Sequence, residues 1–340
     1  MADPRYTFVV PIYKDGALAE AFCVELERVM RAHLRVDDIS QDVELIFVND
    51  GSPDDGKSSG HLDEVARRHG FVRVIELSRN FGQHIALSAG FHHARGRYVG
   101  MLNVDMEDPP DQIPLLLAEL ESKDVDMVYG LRGERAQPWH VRLTSFLFNW
   151  VMVKLTGYET PLNVATLRIM DRPFLDAYNA LSEKSRYIPG LEMWMGFKKS
   201  YVQIRSQARV QGTSSYTFRK RLKMAFEAVI SFSDLPLRML VVVGTLIALT
   251  GFVLSGALIA GRLFFVDFQA GYTSTVSVVV FLGGVQILVV GLASLYIGRI
   301  LREVQNRPLY LVRRTVGFEP ADASVSVEAR AVAGAHDDAQ

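Results

Sequence analysis

The chain has 340 residues, enough for one large α/β domain plus a smaller part that needs no disulfide or metal staple. Lys plus Arg total 37 against 38 Asp plus Glu, a net charge of -1, so no global field draws in nucleic acid and an anionic partner must be met by local clusters. The single cysteine, Cys23, excludes an internal disulfide and fits a reducing compartment.

The first apolar stretch, residues 8–12, is strand-sized rather than signal-sized, so the soluble part is expected to begin in the cytosol. From there β-rich runs at 7–12, 43–48, 72–77, 98–104 and 126–129 alternate with helical stretches at 18–33, 62–69, 84–95 and 112–121. This alternation predicts an α/β fold, a mostly parallel sheet with helices on both faces. Ligands of such sheets gather at the carboxyl ends of the strands. The polar punctuation sits at those ends: Tyr13-Lys14-Asp15, then Asn49-Asp50-Gly51-Ser52, Ser78-Arg79-Asn80, and finally Asp105 to Asp111.

In Asn103-Val104-Asp105-Met106-Glu107-Asp108-Pro109-Pro110, an extended backbone would point Asn103, Asp105 and Glu107 to one face. Carboxylates so spaced suit a hard divalent cation, Mg2+ or Mn2+, which completes its shell with substrate phosphates. The same residues also read as an acidic turn whose Asp108 or Asp111 caps the next helix. Asn49 to Ser52 likewise reads as a tight turn, and His84 as a surface residue at a helix start. Spacing alone leaves these alternatives open.

The later part differs in character. Residues 239–261 and 276–297 hold no charged side chain, and each is about the ~20 residues that cross a bilayer's hydrocarbon core. They predict a two-helix transmembrane hairpin; two buried core helices are the other reading. Arg219, Lys220, Arg221, Lys223 and Arg238 precede the pair and Arg299, Arg302, Arg307, Arg313 and Arg314 follow, against Arg262 alone between them, which puts both ends in the cytoplasm. Residues 141–155 and 219–233 set apolar and basic residues together as interfacial helices do, and equally as helices packed on a sheet do. Gly284, Gly291 and Gly298, like Gly244 and Gly251, recur at sevens and offer small faces to the hairpin or to a homo-oligomer. The expected division is 1–218 catalytic, 219–236 interfacial, 237–314 hairpin and juxtamembrane end, and 315–340 a disordered tail.

Val10-Pro11-Ile12-Tyr13, Phe47 to Ser52, Leu77 to Gln83 and Asp105 to Pro110, taken together, resemble family 2 inverting glycosyltransferases of the GT-A fold. The resemblance is narrower with the polyprenyl-phosphate branch, that of dolichyl-phosphate mannose synthase and the bacterial undecaprenyl-phosphate glycosyltransferases. It continues through Arg168 to Arg172, Ser231-Phe232-Ser233, Pro236-Leu237-Arg238, Tyr296 to Arg299 and Arg307 to Tyr310, covering residues 5–312. It implies transfer of a sugar from a nucleotide diphosphate-sugar to a polyprenyl phosphate, with a metal held by Asp105 and Glu107. Asp50 would meet the base or ribose, Pro11 and Tyr13 would line its pocket, and Asn80, Gln83 and Asn103 complete the substrate-binding set. Asn103 stands for the usual first Asp, Thr166 for a frequent Asp and Ser215 for a Lys before Tyr216, departures that leave the sugar unassigned and an inactive relative open.

An acceptor phosphate monoester, second pKa ~6, is largely dianionic at pH 7 and needs cations more than a base. Arg132, Arg168, Arg205 and Arg209 are the candidates, with Arg168 foremost because it falls in a family motif. Partners implied are therefore the nucleotide-sugar, the polyprenyl phosphate and the lipid bilayer, in an integral protein of a bacterial inner membrane, with no nucleic acid. A polysaccharide-extending transferase of the same fold and a non-catalytic membrane scaffold are the rival readings.

Overall fold

The computed structural model describes residues 3–34, 36, 38–133, 163–184, 186–205, 242, 244–247, 249–251, 253 and 271–318. The expected interfacial helices at 141–155 and 219–233, Arg209, Ser215, most of the first apolar run and the tail from 319 lie outside them. The chain divides into two compact units, one of Met1–Val153, Tyr158–Ser215 and Pro308–Gln340, the other of Lys154–Gly157 and Tyr216–Arg307.

In the first unit, strands β1 (Tyr6–Ile12), β2 (Val43–Asn49), β3 (Val72–Leu77) and β4 (Tyr98–Met101) alternate with helices α1 (Ala19–Leu34), α2 (Lys57–Arg68) and α3 (Gln83–His93). Helix α4 (Ile113–Ser122) leads to β5 (Met127–Arg132). Then come β6 (Val164–Asp171), α5 (Arg172–Asn179), α6 (Ile188–Trp194) and β7 (Lys199–Ile204). The sheet order is β7-β5-β6-β4-β1-β2-β3-β8, where β8 is Val312–Val316. β2 is buried along its whole length, as a strand covered on both faces must be, and Phe8, Phe22, Leu26, Leu45 and Phe47 pack the core on its α1 side. The one charge in β2, Glu44, is compensated: the Thr7 hydroxyl donates to it at 2.8 Å and Arg95 at 3.2 Å.

The ladders β1–β2, β1–β4, β2–β3 and β5–β7 are parallel, while β4–β6, β5–β6 and β3–β8 are antiparallel. The sheet is thus mixed and mostly parallel, with flanking helices. Order reverses between β1 and β4, the place where an open α/β sheet leaves a crevice.

Three differences from the sequence reading have physical causes. β4 ends at Met101 rather than at 104, because after a last bond from the Leu102 N–H to Val9 O the chain turns, with Met106 N–H on Asn103 O and Met106 at φ 53°. Helix α2 starts at Lys57 rather than at 62, since the Asp54 carboxylate accepts the Ser58 N–H at 3.1 Å and caps the first turn. The soluble unit does not stop at 218 and the tail is not irregular from 315: β8 returns to the sheet beside β3. Arg313 and Arg314, counted above as juxtamembrane charges, lie on this strand. Arg314 donates to Glu76 at 2.6 Å and to Asp63 at 2.9 Å. A charge pair more than 200 positions apart in sequence leaves no periodic trace.

In the second unit, α7 (Tyr272–Val304) carries a run, Phe281–Val304, long and apolar enough to cross a membrane. None of its most apolar stretch is buried, and Phe281, Ile287, Val290 and Ile297 are exposed.

Glu76 is only 8% exposed, so removing Arg314 leaves its carboxylate with the more distant, solvent-exposed Arg313 at 3.7 Å in place of a 2.6 Å bond. Arg314→Met is expected to lower stability by about 1–2 kcal/mol, more than a solvated surface pair contributes. A detergent-phase melting curve against the wild type checks this, with Arg67→Met, on the same helix as Asp63, as the control substitution.

Candidate active site

Five segments converge at the carboxyl edge of the sheet: residues 11–15 at and beyond the end of β1, 49–52 at and beyond the end of β2, 78–83 after β3, 102–109 after β4, and the start of β6, which runs antiparallel to β4 and so begins at the same edge. β1 pairs with β4 only through Val9–Met101, while its ladder with β2 continues to Ile12–Asn49. Pro11, which has no N–H to give, sits in the stretch where β4 has already turned away. The crevice opens there, with Tyr13 43% exposed at its mouth.

Asp50 is 3% exposed, and both its oxygens are engaged: Oδ1 accepts the Phe81 N–H at 2.7 Å and Oδ2 the Gly82 N–H at 2.9 Å. Burial pushes its carboxyl above the ordinary range, while those two backbone bonds and the nearby Arg79 pull it down. It therefore moulds the 78–82 loop that leads into α3. Gly51 makes that possible, at φ 58°, because a Cβ there would stand 2.3 Å from the Arg79 carbonyl carbon. Asn49 is inside the turn, its Oδ1 accepting from Ser52 N at 3.1 Å and its Nδ2 donating to Ser59 Oγ at 3.0 Å.

Asn80 and Gln83 are exposed on the crevice rim. The Gln83 amide donates to Asn103 Oδ1 at 3.3 Å, and the Asn103 amide donates to Thr166 Oγ1 at 3.1 Å. The residues at two of the three departures noted above thus touch each other, as a neutral pair linking the β4 turn to β6.

The extended face proposed for Asn103, Asp105 and Glu107 does not form, because Met106 is left-handed between the two carboxylates. Asp105 is half-exposed and its Oδ1 accepts the Glu107 N–H at 3.2 Å. Glu107 turns inward, 6% exposed, with Oε1 at 3.0 Å from Arg132 Nη1. Asp108 is not a helix cap. It is 1% exposed and grips Arg132 through two bonds of 2.8 Å, while the Thr166 N–H donates to it at 3.0 Å. No group of three His, Cys, Asp or Glu side chains suited to a metal occurs among the described residues. Two oxygen-donor carboxylates on one turn nevertheless fit Mg2+ or Mn2+, which takes one or two protein carboxylates and draws its other ligands from water and phosphate.

The cations are differently disposed from expectation. Arg168 is buried, its guanidinium donating to Glu192 Oε2 at 2.6 Å and to the carbonyls of Thr166 and Ala165 at 3.2 Å. Burial pushes the Glu192 carboxyl up, and Arg168 and the Tyr129 hydroxyl, 3.0 Å away, hold it down. This pair fixes the beginning of β6 from inside instead of facing a ligand. Arg132 is committed to Asp108 and Glu107. Arg205 is exposed just after β7. Lys14, at φ 71° beside the Tyr13 ring, and Arg79, stacked 4.1 Å from the Phe81 ring centre, stand on the loops at this edge and were not singled out by sequence. Their positions in turn motifs were the signal available.

His84 sits at a helix start as expected and is only partly exposed. Its ring packs edge-on against Tyr187 at 5.5 Å, and burial with Arg168 nearby depresses its pKa to about 4. His92 is similarly lowered to about 4 by burial, Arg186 and His93, and shares a 2.9 Å hydrogen bond with the Tyr310 hydroxyl.

Comparison with known proteins accounts for this arrangement. Residues 7–178 match the glycosyl transferase family 2 model. An uncharacterized glycosyltransferase of Bacillus subtilis is 31% identical over 320 residues, 93% of this chain and 95% of the relative. The undecaprenyl-phosphate 4-deoxy-4-formamido-L-arabinose transferase of Proteus mirabilis is 33% identical, covering 93% and 95%. The SfII prophage-derived bactoprenol glucosyl transferase of Shigella flexneri is 33% identical, covering 92% and 98%. The chain belongs to glycosyl transferase family 2, in its polyprenyl-phosphate branch. It is a glycosyltransferase, and its mixed sheet with flanking helices is of the GT-A type.

His84 and His92 stay neutral in the folded protein down to about pH 4, whereas the unfolded chain protonates near pH 6.5. Their contribution is fully present above pH 6.5 and is lost as pH falls toward 4, at on the order of 1 kcal/mol per pH unit for each. Melting curves between pH 7 and 4.5 should show this slope, and His92→Gln, which keeps an acceptor for Tyr310, should make it shallower.

Proposed function

We propose that this glycosyltransferase transfers a sugar from a nucleotide diphosphate-sugar to a polyprenyl phosphate, most simply undecaprenyl phosphate, at the cytoplasmic face of a bacterial inner membrane. The observation that carries the reading is the carboxylate turn 103–108 at the crevice where β1 and β4 part. Relatives named for undecaprenyl-phosphate and bactoprenol chemistry across nearly their full length support the acceptor class. Those relatives are named for different sugars, so the sugar and nucleotide are left to the donor panel below.

Asp105 and Glu107 would hold Mg2+ or Mn2+, which supplies Lewis-acid neutralisation of charge on the departing nucleoside diphosphate, worth several kcal/mol. An acceptor phosphate oxygen attacks the anomeric carbon while the bond from that carbon to the diphosphate oxygen breaks, the electron pair leaving with the nucleotide and the configuration inverting. No strong base is needed for a dianionic acceptor, which suits the neutral Asn103–Thr166 pair beside the turn. Tyr13 and Pro11 would line the donor pocket, with Asn80, Gln83 and Asn103 along its rim and Asp50 shaping its wall. With Arg132 and Arg168 held by carboxylates, the acceptor phosphate falls to Arg205, Arg209, Lys14 and Arg79.

The membrane reading gains support from connectivity. β8 follows α7 after residues 305–311 and belongs to the catalytic sheet. A chain that leaves a soluble sheet and rejoins it crosses a bilayer an even number of times. If α7 spans, a second crossing must precede it, and residues 239–261 are the apolar run of that length.

Full-length protein in detergent, given Mn2+, undecaprenyl phosphate and a panel of labelled nucleotide-sugars, is expected to form an acid-labile lipid-linked sugar. Asp105→Asn should lower turnover by roughly 100-fold or more with melting unchanged. Survival of activity in that variant removes the metal assignment, and the absence of lipid product with every donor removes the acceptor.

A further inference from the structure

Between the two expected metal ligands the backbone adopts a conformation that side chains other than glycine resist: Met106 lies at φ 53°. Such a conformation costs roughly 1 kcal/mol or more and persists only where the surroundings over-determine it. The restraint on this turn is visible two residues on. Asp108 is nearly sealed from solvent, and a carboxylate there is tolerable only with full compensation. It has that from four donors on two sides: Arg132 Nε on Oδ1 and Nη2 on Oδ2, and the Thr166 and Leu167 N–H groups on Oδ2 at 3.0 and 3.4 Å. The turn after β4 is thereby tied to the end of β5 and to the start of β6.

The same contacts orient Arg132. A guanidinium gripped in the two-point manner has one orientation, and its remaining edge then faces a fixed direction. That edge meets Glu107 Oε1 at 3.0 Å. One arginine is thus shared by a sealed carboxylate that fixes it and a second carboxylate that it fixes. A lysine ammonium, lacking the planar fork, could not satisfy both.

We propose that Asp108 and Arg132 are positioning residues for the transfer reaction: through the shared guanidinium they hold the Glu107 carboxylate where the cation of the donor diphosphate is bound. The inference rests on the metal reading given under Proposed function, and it gives Arg132 a role other than seating the acceptor phosphate. Neither residue touches substrate; both act through Glu107.

The test is a thermodynamic cycle on Mn2+ binding, read by the electron paramagnetic resonance of free Mn2+ with the metal alone as probe and full-length protein in detergent. Asp108→Asn and Arg132→Lys are each expected to weaken Mn2+ about 10–100-fold, the range for residues that orient a metal ligand. In the Glu107→Ala background, which removes the oxygen donor altogether, the same substitutions should weaken it by less than about threefold, because residues acting through one group are not additive. A general loosening of the turn would instead reduce affinity equally in both backgrounds and overturn the proposal, as would unchanged affinity in the single variants. Wild-type protein that binds no Mn2+ would remove the metal reading itself, a result distinct from either. Circular dichroism establishes folding beforehand, and Arg132→Lys carries the cycle alone if Asp108→Asn does not fold.

Discussion

The site depends on two adjacent parallel strands ending at different heights. β1 runs on with β2 to Ile12 and Asn49, whereas β4 leaves β1 after Met101. A proline follows in β1 where no donor to β4 is needed, and the segment freed from β4 becomes the turn that carries Asn103, Asp105 and Glu107. Were β4 to continue in register beside β1, these side chains would lie along one face of a closed sheet and the crevice would be filled with backbone. The groove is therefore a consequence of ladder length more than of loop composition.

Around that groove, electrostatics is arranged from the inside outward. Buried carboxylates here take arginines: Glu44 takes Arg95, Glu107 and Asp108 share Arg132, and Glu192 takes Arg168. Each pairing offsets a desolvation cost, and each leaves that arginine less able to meet a ligand. An almost neutral chain can thus carry many arginines and still present few to an anion. The cations at the rim, Lys14, Arg79 and Arg205, are on loops or at a strand end, where the side chain remains hydrated. Asp50 follows the same logic with backbone instead of arginine, taking two N–H groups at the entry to α3 and giving up conformational freedom to fix a loop.

The return of the chain as β8 joins the membrane question to the fold. Large apolar side chains of α7, Phe281, Ile287, Val290 and Ile297 among them, are exposed, and lipid is the solvent in which that exposure carries no penalty. The strand that follows contributes Arg314 to Asp63 and Glu76, so charges that by sequence count toward membrane orientation also hold the sheet edge. Tyr310 adds a second tie, to His92 near the end of α3, the helix whose first turn borders the groove.

Sequence alone determined the order of the first five strands and the helices between them, the clustering of polar turns at one sheet edge, and the family. These are carried by local periodicity and by short motifs whose residues are neighbours in the chain. Tertiary structure decided what Asp108, Arg132, Arg168, Asp50 and His84 do. Each has its partner 20 or more positions away in the chain, on another element, and the same letters serve equally as caps, ligands or solvated charges until that partner is in place. It also decided β8, since a five-residue strand with two arginines has too little pattern to be told from a basic linker, and only the open edge of β3 with Glu76 on it makes it a strand. The left-handed Met106 was equally beyond the sequence, because a non-glycine residue enters that region only when contacts elsewhere in the fold compel it.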